Sequence, residues 1–148
     1  EKAYDFVIHN CLAYGVCMIS SQKIDKFGIQ DSVRMAMEGA LKQAENMLGR
    51  RINYLIIDGN NVESIEGYSE EKIKDGDAHH YSISAASIIA KVTRDRYMKN
   101  MGLKYPLYGF ERHVGYGTRE HIEAIKKYGI CPIHRRSFSP VKEIYCKK

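Results

Sequence analysis

Residues 54–61 read Tyr54-Leu55-Ile56-Ile57-Asp58-Gly59-Asn60-Asn61. Four consecutive apolar residues closed by an Asp-Gly turn are too few for a buried helix. They suit a strand covered on both faces. Upstream, from Asp31, the residues Val33, Ala36, Met37, Ala40, Leu41, Ala44, Met47 and Leu48 recur at three- and four-residue steps, and Gly49 follows as a stop. That spacing predicts an amphipathic helix with a glycine C-terminus. Downstream, residues 82–100 are helical again. Ile83, Ala86, Ile89, Ala90 and Thr93 share a face, Ala85, Ile88 and Val92 widen it, and Lys91, Arg94, Arg96 and Lys99 supply the polar side. A buried strand between two helices predicts an α/β architecture.

Further out the signals are shorter. Residues 4–8 are apolar and read as the end of a helix or strand. Residues 13–19 read as a short buried strand, after which Ser20 or Ser21 offers a helix N-cap. Residues 60–71 form a polar loop carrying Glu63, Glu66, Glu70 and Glu71, and Lys72-Ile73-Lys74 reads as a short strand leading into Asp75-Gly76-Asp77. Pro106 interrupts the second long helix, and residues 105–116 read as a loop rich in Tyr, Gly and charge. Thr118 caps a last helix that runs through Tyr128 to Gly129, with Ile122 and Ile125 inward. The tail from Cys131 to Lys148 contains the basic run His134-Arg135-Arg136. There is no repeat, linker or low-complexity segment, so residues 1–148 read as one domain.

With 148 residues, 44% hydrophobic and 28% charged, the chain is neither disordered nor too small for a core. No stretch approaches the roughly 18 apolar residues of a membrane span. Residues 1–5 lack a secretory profile and an initiating Met, which fits a fragment or a processed chain. Charge is uneven: residues 1–74 hold 9 Lys/Arg against 11 Asp/Glu, whereas residues 75–148 hold 14 against 7. A basic half points to a polyanion, nucleic acid ahead of membrane; a solvated basic surface explains it equally. Cys11, Cys17, Cys131 and Cys146 form no Cys-x-x-Cys pair, as expected of free thiols in a cytoplasmic protein. Cys131-Pro132-Ile133-His134 has the spacing of half a zinc site, with no second half.

Chemistry centres on Asp58 and Asp77. Asp58 stands just past an apolar strand, where ligands of α/β sheets gather, and Asp77 follows another possible strand. Two carboxylates brought together repel unless a hard cation such as Mg²⁺ or Mn²⁺ lies between them, and one use of such an ion is phosphodiester hydrolysis. Asp-Gly is also ordinary turn chemistry, so turns remain the alternative. His79-His80, adjacent in sequence, read as loop residues rather than ligands of one ion. Neither a Gly-x-Ser-x-Gly elbow nor a phosphate-cradling loop occurs, which leaves a small-molecule hydrolase or phosphatase without machinery. Between residues 104 and 119, Tyr105, Tyr108, Phe110 and Tyr116 alternate with Lys104, Arg112, His113 and Arg119. Aromatic faces stack on sugars or bases while cations hold phosphates, or the tyrosines simply line the rim of the core.

Three groups of motifs then share one resemblance. Asp58-Gly59-Asn60 and Gly76-Asp77-Ala78 are followed by residues 84–95, Ser-Ala-Ala-Ser-Ile-Ile-Ala-Lys-Val-Thr-Arg-Asp. Next come residues 105–110, Tyr-Pro-Leu-Tyr-Gly-Phe, and residues 113–118, His-Val-Gly-Tyr-Gly-Thr. Last comes His134-Arg135-Arg136-Ser137-Phe138. In order and spacing these resemble ribonuclease HII over about residues 20–141. The resemblance implies a ribonuclease H-like fold and an endonuclease that cuts the RNA strand of RNA–DNA hybrids and nicks at a lone ribonucleotide in duplex DNA. It implies Mn²⁺ or Mg²⁺ held by four carboxylates, two of which match Asp58 and Asp77. It makes Tyr116 the sugar contact, and Lys91, Arg94, Arg135 and Arg136 weaker matches for phosphate contacts or structural ion pairs.

The departures are specific. The family's Asp-Glu-Ala-Gly-Arg-Gly segment, which carries the other two carboxylates, has no counterpart, so the first strands of the family's sheet are missing. Asp75 and Val114 stand where the family has lysines. The chain alone is therefore expected to be inactive or nearly so, with an exposed sheet edge prone to aggregation. The complete form is expected to be a monomer. A non-catalytic nucleic-acid-binding remnant of the same fold is the alternative.

Overall fold

The computed structural model describes residues 1–145. Its elements are α1 (Lys2–Asn10), α2 (Ser21–Phe27), α3 (Ile29–Leu48), β1 (Tyr54–Asp58), β2 (Ser69–Ile73), α4 (Gly76–His79), α5 (Tyr81–Lys104), a 3-10 turn (Pro106–Tyr108), α6 (Phe110–His113), α7 (Arg119–Tyr128) and α8 (Val141–Tyr145). The residues group into two compact units. One comprises Glu1–Ile19 and Phe27–Val92; the other comprises Ser20–Lys26 and the chain from Thr93 on.

The first unit is α/β. β1 and β2 pair in parallel, Tyr54 opposite Ser69 and Asp58 opposite Ile73, and they are the only strands among the described residues. β2 starts three residues before the short strand expected at 72–74. Its glutamates tolerate the ladder because each has a local partner: Glu70 accepts from Ile65 N–H at 3.0 Å, and Glu71 accepts from the Tyr54 hydroxyl at 2.7 Å. Backbone pairing with β1, rather than side-chain hydrophobicity, decides where this strand begins. A two-stranded parallel sheet leaves open ladder groups on both sides, the edge anticipated above.

α3 follows its predicted periodicity, and Gly49 closes it in the left-handed conformation (φ 72°), its N–H reaching Glu45 C=O. Residues 13–19, expected as a strand, carry no ladder. They lie extended against α3 instead. Val16 N–H donates to the Gln43 side chain at 3.1 Å, and a Cβ at Gly15 would stand 1.9 Å from Ala40 C=O. At Gly39 an added Cβ would meet Cys17 Sγ at 2.5 Å. Close helix contact through two glycines therefore replaces strand pairing. Residues 4–8 belong to α1, no residue of which is buried. The buried apolar side chains of this unit are Ile57, Ile65, Ile83 and Ile89.

The second unit is helical around Met98, Tyr108, Phe110, Ala124 and Cys131, with Met101, Tyr105, Val114 and Ile133 against them. Residues 105–116 were expected as a loop; they hold the 3-10 turn and α6. Proline at the first position of the 3-10 turn pre-sets its φ, and Tyr108 and Phe110 then point inward as stacked rings with centroids 5.4 Å apart. Thr118 caps α7 by accepting from His121 N–H, and Gly129 ends it. No helix among the described residues is long and apolar enough to cross a membrane.

Candidate active site

Asp58 is the last residue of β1 and is exposed. Its Oδ1 accepts the Gly76 N–H at 2.9 Å. This bond ties the end of one strand to the start of α4, where Asp77 follows in the first turn, also exposed. Gly76 is buried, and an added Cβ would meet Ile83 Cδ1 at 2.6 Å. A side chain here would push the 75–77 segment away from Asp58. Asp75 enters the turn at φ 52°, a left-handed conformation that aspartate tolerates better than most residues. Two oxygen-donor carboxylates at this turn suit a hard cation. No group of three or more His, Cys, Asp or Glu able to hold a metal occurs among the described residues. His79 ends the one-turn α4 rather than lying in a loop, His80 follows it, and both are exposed.

The basic residues differ in their surroundings. Lys91 is exposed on α5 in the first unit. In the second unit Arg94 is exposed, its guanidinium 5.3 Å from the ring centre of Tyr116, which is itself 64% exposed. Arg135 lies 3.8 Å over the Phe138 ring. Burial, then the Arg94 charge, lowers its pKa, so two guanidiniums share one neighbourhood with an aromatic ring. Arg136 is exposed, and its backbone N–H is held by Asp25 Oδ2 at 2.8 Å. Asp25 also accepts from Ser137 N–H at 2.9 Å. Burial raises its carboxyl pKa, but the Ser137 hydroxyl and the two backbone N–H groups outweigh that and hold it below the usual range. Arg112, expected among the phosphate-facing cations, is tied instead to Glu111 and Glu120, and Arg119 pairs with Glu123 at 2.8 Å.

A family model for ribonuclease HII matches residues 6–141. The chain belongs to the ribonuclease HII family. It is 45% identical over 144 residues to a ribonuclease HII of Leuconostoc mesenteroides, covering 97% of this chain and 54% of that protein. It is 47% identical over 142 residues to one of Acetivibrio thermocellus, covering 94% and 52%. It is 45% identical over 147 residues to one of Bacillus mycoides, covering 99% and 55%. The chain thus spans about half the length of the curated relatives it matches. Its fold is that of the crystal structure of ribonuclease H2 from Pyrococcus horikoshii OT3, at a TM-score of 0.74 and 24% identity, over 99% of this chain and 74% of that one. The ribonuclease H-like α/β reading therefore holds.

Two residues read as basic in this ribonuclease HII sequence are core. His113 and His134 are buried, and with His121 they pack around Phe110. The half zinc site resolves into a hydrogen-bonded pair, Cys131 Sγ to His134 Nδ1 at 3.1 Å. Burial raises the Cys131 thiol pKa, so the sulfur stays protonated. Cys11 and Cys17 are also free thiols, whereas Cys146 lies outside the described residues. His121 falls at i, i+3 and i+4 with the buried Ala124 and Ile125, and that periodicity was the available signal that it faces inward.

Acid should weaken the fold through this cluster. Burial, then the His121 charge, pushes His134 down to about 4, and burial lowers His121 as well. In the unfolded chain both return to about 6.5. Between those values the unfolded chain binds more protons, so stability is complete above about pH 6.5 and falls as pH drops toward 4. Local rearrangement around the protonated rings limits the loss to on the order of 1–2 kcal/mol. Urea midpoints at pH 7.5, 6 and 5 measure it, and carboxylates contribute little in that window. A flat midpoint would contradict the assignment of neutral buried imidazoles.

Val114 takes φ 44° and ψ 34°, a left-handed conformation strained for a β-branched residue. Replacing it by the family's lysine removes the branch. Val114 also packs against the buried cluster, so Val114→Lys is expected to change stability by less than about 1 kcal/mol, relief of the branch offsetting lost apolar contact, and to steepen the salt dependence of the proposed duplex binding by about one phosphate contact. Binding measured from 50 to 200 mM salt reads the second effect, and an unchanged slope would place the new cation away from the nucleic acid.

Proposed function

We propose that the chain is the C-terminal portion of an endoribonuclease that cleaves the RNA strand of RNA–DNA hybrids and nicks at single ribonucleotides in duplex DNA. Asp58 and Asp77 are its ligands for Mn²⁺ or Mg²⁺. The observation that carries this reading is the Asp58 Oδ1–Gly76 N–H bond, which joins the two acidic stretches at one strand end. The ion, when bound, activates water and offsets charge on the phosphoryl oxygens. The chain's own residues hold the strand in place. Tyr116 meets a sugar face, Lys91, Arg94 and Arg135 meet phosphates, and Arg136 adds charge beside them. The partner is a hybrid or a ribonucleotide-bearing duplex, bound in the cytoplasm, and the complete enzyme is a monomer with residues 1–148 as part of one catalytic domain. This chain by itself is inactive or nearly so, because the family's other two carboxylates lie outside it.

An end-labelled DNA duplex carrying one ribonucleotide, incubated with Mn²⁺, tests the reading. The chain alone is expected to leave it intact. A chimera preceded by a segment of the Bacillus mycoides relative that carries the family's Asp-Glu-Ala-Gly-Arg-Gly motif is expected to nick it at the ribonucleotide. No nick from either, with salt-sensitive duplex binding retained, would favour the second reading, a binding remnant. That reading has its own support: Arg94, Tyr116 and Arg135 gather within one unit, with no contribution from Asp58 or Asp77.

A further inference from the structure

The buried imidazoles of the second unit are joined in one direction. Cys131 N–H can only donate, and it reaches His134 Nδ1 at 2.9 Å. Cys131 C=O already accepts from His134 N–H at 3.0 Å. The His134 ring proton therefore sits on Nε2, which faces His121 Nε2 at 3.0 Å. That makes His121 Nε2 the acceptor and leaves its proton on Nδ1, which donates to Tyr116 C=O at 2.9 Å. These protons follow from donor and acceptor complementarity. His113, stacked on His121 with centroids 4.4 Å apart, closes the turn from the other side. Its Nε2–H donates to Tyr108 C=O at 2.6 Å and its Nδ1 accepts Gly115 N–H at 3.2 Å, spanning the strained Val114. Every ring nitrogen has a partner, His134 Nδ1 also lying 3.1 Å from Cys131 Sγ and 3.3 Å from Cys131 C=O, and no buried side-chain polar atom among the described residues lacks one.

Such a network does more than fill a core. The 113–116 turn contains a β-branched residue in the left-handed region, a conformation that persists only when its surroundings enforce it. The enforcement comes from both rings, and the residue at the end of the turn is Tyr116, whose side chain stands in solvent beside Arg94. We propose that His121, oriented by His134 and Cys131, is a positioning residue that fixes the Tyr116 backbone and so aims the Tyr116 ring at nucleic acid, with His113 as the second clamp. The proposal rests on the reading of Tyr116 as a substrate contact. The groups facing His121 are His113, His134, Phe110 and the Tyr116 carbonyl, with Glu120 and Arg112 outside them near His113. None places a carboxylate against the imidazole chain, so a proton added to His121 Nε2 or His134 Nδ1 meets another donor.

The test uses the full chain. In long-range ¹⁵N–¹H spectra at pH 7.5, wild-type His121 is expected as the Nδ1–H tautomer and His134 as the Nε2–H tautomer; the reverse for His121 overturns the proposal with no variant needed. His121→Asn and His121→Leu then both remove the acceptor for His134, but the asparagine amide keeps a donor where Nδ1 stood. Binding of a fluorescent RNA–DNA hybrid is expected to weaken about tenfold in His121→Leu and no more than about threefold in His121→Asn. In a Tyr116→Ala background the two variants should bind alike. Equal weakening by Leu and Asn while Tyr116→Ala still weakens binding overturns the positioning role and leaves the substrate reading standing. If Tyr116→Ala binds like wild type, the substrate reading fails, and with it the nucleic-acid half of this proposal. The backbone half is then judged by Gly115 and Tyr116 amide exchange. Faster exchange in the Leu variant than in the Asn variant supports it, and equal exchange overturns it.

Discussion

Asp58→Asn in the chimera that carries the missing segment should lower the nicking rate roughly 10³-fold, about 4 kcal/mol of barrier. The substitution keeps the volume and an oxygen able to accept from Gly76 N–H, so the turn at α4 survives. What is lost is one negative charge at the proposed cation site. Asp77→Asn should act similarly, because Asp77 is in the first turn of α4, next to that hydrogen bond. Mn²⁺ titration of this chain followed by calorimetry provides an independent readout, since heat of binding should disappear in either variant. Duplex affinity without metal should be unchanged in both, because Arg94, Tyr116 and Arg135 are untouched. A chimera that nicks at full rate with Asn at position 58 would remove this aspartate from the metal site.

Phe110→Ala should cost about 3–5 kcal/mol, a large part of the stability of a domain this size. Phe110 is 1% exposed. Its ring stacks on Tyr108 and meets the rings of His113 and His121 edge-on, with centroids 5.8 and 5.4 Å away, and it packs against His134 at 5.5 Å. The surrounding rings are pinned by hydrogen bonds, so they cannot collapse into the void, which places the cost toward the upper end of the range. The urea midpoint measures it at unchanged slope. Water entering the void should also raise the His134 pKa toward its ordinary value and flatten the stability loss between pH 6.5 and 5. A loss below about 1 kcal/mol would mean that this ring is not central to the core.

Local chemistry was legible wherever a signal repeats at short range. α3 was read from its three- and four-residue steps and ends at Gly49 as expected. β1 was read from four apolar residues, and α7 from Thr118 and Gly129. Asp58 was readable as a candidate because it follows an apolar run and Asp77 because it follows a short possible strand, and both match motifs of the family. Residues 13–19 misled because an apolar run does not say what it packs on; two glycines, at 15 and 39, let it lie on a helix instead of beside a strand. β2 was read late because its first residues are glutamates, satisfied only once Tyr54 and the chain around Ile65 come alongside.

By itself, the sequence determined the helices α3, α5 and α7, the first strand and the family, and it marked Asp58 and Asp77 as candidate ligands, all coded by neighbours within a few residues or by motif order. The tertiary structure alone decided which polar residues face water. His113 and His134 read as part of a basic surface and turn out to be buried core, while Asp25 holds the backbone of Arg136 and Ser137 from 111 and 112 residues away. An imidazole's charge depends on whether its two nitrogens find partners, and a carboxylate's role depends on which N–H groups arrive opposite it. Both are set by long-range packing, which no local period in the chain records.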